Sequence, residues 1–114
     1  MATLPPETAT NINRLRNQCL TVIHLATQAE SKLFNAFGET TETLVVLFEL
    51  KNVAQEATDA LNRLNSLQLK VAVAQPEISF TLAKLVTDSR SRIEMRIPAW
   101  ERSIEEILLT WRLS

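Results

Sequence analysis

The sequence predicts an all-α protein: an antiparallel bundle of three long helices. Three observations carry this expectation. Turn formers are scarce, with one Gly and four Pro in 114 residues, whereas a β-sandwich or a doubly wound α/β domain needs many tight turns. Apolar residues recur by threes and fours along most of the chain, the spacing of one helix face. The few breakers (Pro5-Pro6, Gly38 and Pro76) cut the chain into similar segments, about 7–37, 40–75 and 76–113. At 1.5 Å per residue each segment is a rod of ~50 Å. Apolar residues at 46% and charged residues at 22% fit a single globular domain with one core.

The first segment carries a heptad seam: Ile12, Leu15, Cys19, Val22, Ala26, Ala29, Leu33 and Ala36. Its other side is polar, with Asn13, Arg16, Asn17, Thr27, Gln28 and Asn35. Pro5-Pro6-Glu7 suits a helix start, since proline lacks only an N–H that would be unpaired there and Glu7 favours the positive end of the dipole. Gly38 supplies the left-handed residue that ends the helix.

Thr40 or Thr41 can cap the second helix, with Glu42 in its first turn. One apolar row runs Leu47, Leu50, Ala54, Ala57, Leu61, Leu64 and Val71, with Gln68 as a polar intruder. A second row, Val46, Val53, Ala60, Leu67 and Ala74, recurs every seven residues beside it. A stripe this wide touches two neighbours, so the second helix is expected to be the central one.

Pro76 and Glu77 are expected to open the third helix. Its stripe is Ile78, Leu82, Leu85 and Ile93, interrupted by Ser89, and it resumes with Trp100, Ile104, Ile107, Leu108 and Trp111. Pro98 lies inside this pattern, removing one hydrogen bond and clashing with the preceding turn. No polar turn residues surround it, so a kink is expected; a break would give a four-helix bundle instead. Short links make neighbours antiparallel. Second- and third-helix residues whose numbers sum to about 151 should then face each other: Asp59 with Arg92, Glu56 with Arg96, Glu49 with Arg102. The first and third helices run parallel, gathering Phe34, Phe37, Phe48 and Trp111 at one end.

The residue inventory argues against enzymatic chemistry. Cys19 and His24 are the only soft ligands, and five positions apart they point ~140° from one another, so they cannot converge on a metal or form a catalytic pair. Cys19 reads as a small core residue, and His24 as a boundary residue. Glu105 and Glu106 diverge by ~100° and cannot form an acid/base dyad, while Glu42, Glu49 and Glu56 are spaced ~10 Å apart. One glycine allows no phosphate-cradling loop, and no nucleophile elbow is present. No cofactor, no metal and no catalytic residue are expected.

Two surfaces remain as candidates. Arg90, Arg92, Arg96 and Arg102 would carry a nucleic-acid role, but Asp88, Glu94 and Glu101 interleave with them and the net charge is −1, which argues against a phosphate footprint. Trp100, Ile104, Leu108 and Trp111 share one side of the third helix. They form either a core stripe or a face that docks a protein partner, for which Trp is well suited. A thin rod has little interior, and Leu20, Ile23, Leu25, Val45, Leu69, Val73, Phe80 and Val86 lie beyond a single seam. That apolar surplus points to self-association, a homo-oligomer or a protein partner.

The stretch Ile93-Glu94-Met95-Arg96-Ile97-Pro98-Ala99-Trp100-Glu101-Arg102-Ser103-Ile104 resembles a short segment of the toxic-anion (tellurite) resistance family. Members place an Ile-Pro-x-Trp step inside a long helix, after a Gln/Pro-containing run similar to Ala74-Gln75-Pro76-Glu77-Ile78. The similarity covers about residues 74–104, and members of the family are several times longer. It implies a helical, stress-linked cytoplasmic protein with no catalytic residues to carry over. A cytoplasmic location is also expected from the residues themselves. The single cysteine makes no internal disulfide, the first residues lack a signal-peptide pattern, and the longest apolar run, Leu44 to Phe48, is far shorter than the ~20 residues of a membrane span. The functional expectation is a non-enzymatic helical interaction or scaffold module.

Overall fold

The computed structural model describes residues 6–74 and 78–113 and consists of three long helices: α1 (Pro6–Phe37), α2 (Thr41–Val73) and α3 (Phe80–Thr110). They form an antiparallel rod of 56 × 18 × 16 Å. One core runs along its axis, from Ile12, Leu15 and Val22 on α1, through Leu50, Leu64 and Leu67 on α2, to Val86, Ile93 and Ile97 on α3. The heptad seam of α1 is buried from Ile12 to Leu33, whereas Ala36, its last member, is exposed in the final turn.

The expectation that α2 is central is corrected. α1 and α2 pack against each other most extensively, and α3 touches both more sparingly. The seam of α1 carries Cys19, Ala26 and Ala29, and α2 buries Ala57 and Ala60. Small residues let two backbones approach closely, so this pair shares the most surface. Two polar pairs fix its register: Arg16 Nε donates to Asn65 Oδ1 at 2.7 Å, and Gln68 Nε2 donates to Asn13 Oδ1 at 3.1 Å. Three residues forward on α1 match three residues back on α2. Gln68, the intruder in the apolar row, is thereby accounted for.

Gly38 ends α1 at φ +68, its N–H donating to the Phe34 carbonyl at 2.7 Å. Thr40 then caps α2 in a reciprocal box with Thr43. The Thr43 N–H donates to Thr40 Oγ1 at 3.1 Å, and the Thr40 N–H donates to Thr43 Oγ1 at 2.7 Å. The buried Thr43 hydroxyl also donates to the Gly38 carbonyl at 2.8 Å, tying the turn to the helix it starts.

The start of α3 differs from the expectation. Pro76 and Glu77 lie outside the described residues, and the helix begins at Phe80, capped by the Ser79 hydroxyl, which accepts the Leu82 N–H at 3.0 Å. Ile78, just before the cap, is buried and anchors the entering chain. The helix continues without a break through Pro98, so the four-helix alternative is not adopted. Pro98 and Glu94 are both exposed, so water can reach the carbonyl that loses its donor. α3 ends in a Schellman motif: the Leu113 N–H donates to the Leu108 carbonyl at 2.8 Å and the Arg112 N–H to the Leu109 carbonyl at 3.1 Å, with Arg112 at φ +56.

The expected α2/α3 register is close to that observed. Arg96 Nη2 donates to Glu56 Oε1, and Arg63 Nε donates to Ser89 Oγ at 2.9 Å, both pairs summing to 152. Asp59 and Arg92, and likewise Glu49 and Arg102, form no ion pair within 4.0 Å. Asp59 instead accepts from Gln55 at 2.9 Å. Exposed charges gain too little from pairing to hold long side chains in place.

Candidate interaction surface

Of the four residues read as either a core stripe or a docking face, two are fully turned inward. Trp100 and Ile104 are 4% and 3% exposed, while Leu108 and Trp111 are half-buried. Trp100 and Ile104 are therefore core, and no partner reaches them without opening the bundle. The Trp100 indole N–H is buried and finds no acceptor among the described residues. The Arg96 guanidinium lies 5.7 Å from its ring centroid, within cation–π range.

The four arginines do not act as a unit. Arg90 is held by Glu94 at 3.2 Å and Arg96 by Glu56, while Arg92 and Arg102 are exposed and form no ion pair among the described residues. Glu94 is also within 3.9 Å of Arg14 on α1. Half of the expected cationic row is thus spent on intramolecular carboxylates.

Cys19 is fully buried, and burial pushes its thiol up to about 11. His24, Glu105 and Glu106 are exposed. Among the described residues no three His, Cys, Asp or Glu side chains gather as metal ligands, and no described helix is long and apolar enough to cross a membrane.

The unusual surface lies at one end of the rod. The end of α1, the start of α2 and the end of α3 meet there because neighbours are antiparallel. Phe34, Phe37, Leu44, Val45, Phe48 and Leu109 are each between 46% and 65% exposed. Summed over the six, the exposed apolar surface is on the order of 500 Å², distributed over all three helices at that end. Phe37 packs edge-on against Trp111 with centroids 5.1 Å apart, so this ring pair ties α1 to α3 within the patch. A shallow groove beside Phe34 contains Glu30, Leu47 and Lys51. Burial raises the Glu30 carboxyl above its usual range, partly offset by the Lys51 ammonium. The sequence placed Phe34, Phe37, Phe48 and Trp111 together and flagged Val45, but not Leu44 or Leu109. Their signal is positional: apolar residues out of phase with the seam near helix ends.

Val86, counted among the apolar surplus, is buried, and Ile23 is half-buried. Leu69, Val73 and Phe80, at 66%, 78% and 83% exposure, form a second, smaller apolar group at the opposite end.

Comparison with protein-family models, curated proteins and solved structures finds no match to this chain. The resemblance over residues 74–104 rests on those residues alone.

Proposed function

We propose that this chain is a non-enzymatic interaction or scaffold module that works by self-association, using the apolar end of the bundle. The observation that carries this reading is the exposure of Phe34, Phe37, Leu44, Val45, Phe48 and Leu109 at one end of the rod. Water contact over that much apolar surface is unfavourable by roughly 25 cal/mol per Å², and covering it is the available gain. Trp100 and Ile104 offer little such gain, because folding has already covered them. The Arg90–Arg102 stretch is a weaker basis for function, since Arg90 and Arg96 already have carboxylate partners.

Sedimentation velocity over a wide concentration range tests the proposal. The expected result is an average mass that rises above 12.9 kDa with concentration. A Phe34→Ser/Phe48→Ser variant should sediment as a monomer with unchanged helicity. A wild-type chain that stays monomeric throughout, or a variant that associates as strongly as wild type, would sink the reading.

A further inference from the structure

We infer that self-association is head-to-tail: the apolar end formed by Phe34, Val45 and Phe48 docks on the Leu69, Val73 and Phe80 end of a second copy, giving open-ended chains of bundles. The inference rests on the self-association proposed above and adds which surfaces meet.

The two ends differ in charge. Dividing each helix at its midpoint gives a head half (22–57 and 95–113) and a tail half (6–21, 58–74 and 78–94). Among the described residues the head half holds eight acidic and five basic residues, a net −3, and the tail half four acidic and seven basic residues, a net +3. The helix dipoles act in the same sense. The head gathers two helix C-termini and one N-terminus, and the tail the reverse. Each end therefore gains roughly half a charge of the sign it already has. Two heads brought together would repel over the whole joint, whereas a head and a tail attract.

On α2 the apolar residues are distributed to match, whereas Leu20 and Leu25 on α1 and Met95 on α3 are exposed near the middle of the rod. On the outer face of α2, Val45 and Phe48 lie at one end and Leu69 and Val73 at the other, all exposed. Between them the same face carries Asn52, Gln55, Asp59, Asn62 and Ser66, also exposed. Polar residues along the middle make a full side-by-side overlap a poor interface, because its centre would be polar where binding energy is normally concentrated. An overlap limited to the ends covers the apolar groups and leaves the polar stretch in water. Such a joint is heterologous, so nothing closes it after two copies. Three large apolar residues on the tail are far fewer than the ~20–30 residues per side of a standard interface, so each joint is weak and reversible.

A complementation experiment on the full chain decides it. Phe48→Lys puts a cation on the head, and Val73→Glu puts an anion on the tail. Both positions are exposed, so the fold should survive, as circular dichroism would verify. Each variant alone should remain monomeric, and mixing the two should restore association, because each supplies the end the other lacks. Wild type should grow past the dimer with concentration and should associate less as salt rises. If either variant associates alone as wild type does, if the mixture stays monomeric, if wild type stops at a dimer, or if salt strengthens association, head-to-tail docking is wrong while self-association can still stand. A wild-type chain that never associates would defeat both.

Discussion

The Phe37 ring meets the Trp111 ring edge-on, with centroids 5.1 Å apart and planes at 60°. It joins the last residue of α1 to the residue that caps α3. This contact closes the apolar end of a bundle in which α3 is otherwise the more loosely packed helix. Trp111→Ala is expected to lower stability by about 1–2 kcal/mol, since the side chain is half-buried. A double-mutant cycle with Phe37→Ala should return a coupling of about 0.5–1.5 kcal/mol. Strictly additive losses would mean the rings stack without mutual stabilisation.

Two helix ends use the left-handed region with opposite chemistry. Gly38 adopts φ +68 at no steric cost, and Arg112 adopts φ +56 against the preference of a side chain with a Cβ. Gly38→Ala should destabilise the fold by about 1 kcal/mol, although a Cβ there would meet nothing within 4 Å. Arg112→Gly should instead stabilise it by about 0.5–1 kcal/mol. Urea midpoints moving in opposite directions would support this account, and a shared direction would oppose it.

Ser89 is 1% exposed and its hydroxyl accepts from Arg63, whose own residue is exposed. Removing Arg63 leaves a buried hydroxyl without that donor, whereas removing the hydroxyl leaves an arginine free to turn to water. Arg63→Ala should therefore cost about 1 kcal/mol or more, and Ser89→Ala much less. The double variant should be less damaging than the sum of the two. Chemical denaturation of the three proteins measures this; equal single losses would remove the asymmetry.

The Cys19 thiol, raised by burial from 9.0 to about 11, makes stability pH-dependent at the alkaline side. Below pH 9 it is protonated in both folded and unfolded chains and adds no slope. Between pH 9 and 11 the unfolded chain releases its proton first, so stability falls as pH rises, by at most ~1.4 kcal/mol per unit from this group. Comparing unfolding near pH 8 and near pH 11, Cys19→Ala should show the smaller loss. Parallel pH profiles for wild type and variant would assign the effect to other groups.

The contrast between Trp100 and Phe48 shows how far the pattern of residues reaches. Helix spacing, the αL cap at Gly38, the Thr40 cap and the Glu56–Arg96 register follow from local rules: propensity, capping and antiparallel neighbours joined by short links. Pro76 masked the Ser79 cap, because a strong local signal stood three residues before the hydroxyl that takes the Leu82 N–H. Gln68 and Ser89 looked like flaws in their stripes until Asn13 and Arg63, far away in the chain, supplied their partners.

What the sequence determined by itself is the existence of three amphipathic helices of similar length. What only the tertiary structure decided is which apolar residues remain in water. Trp100 and Phe48 are both large apolar residues on helices, yet one is 4% and the other 65% exposed. Periodicity along one helix tells which side chains share a face; whether another helix covers that face depends on packing across the bundle, and at its ends the coverage stops.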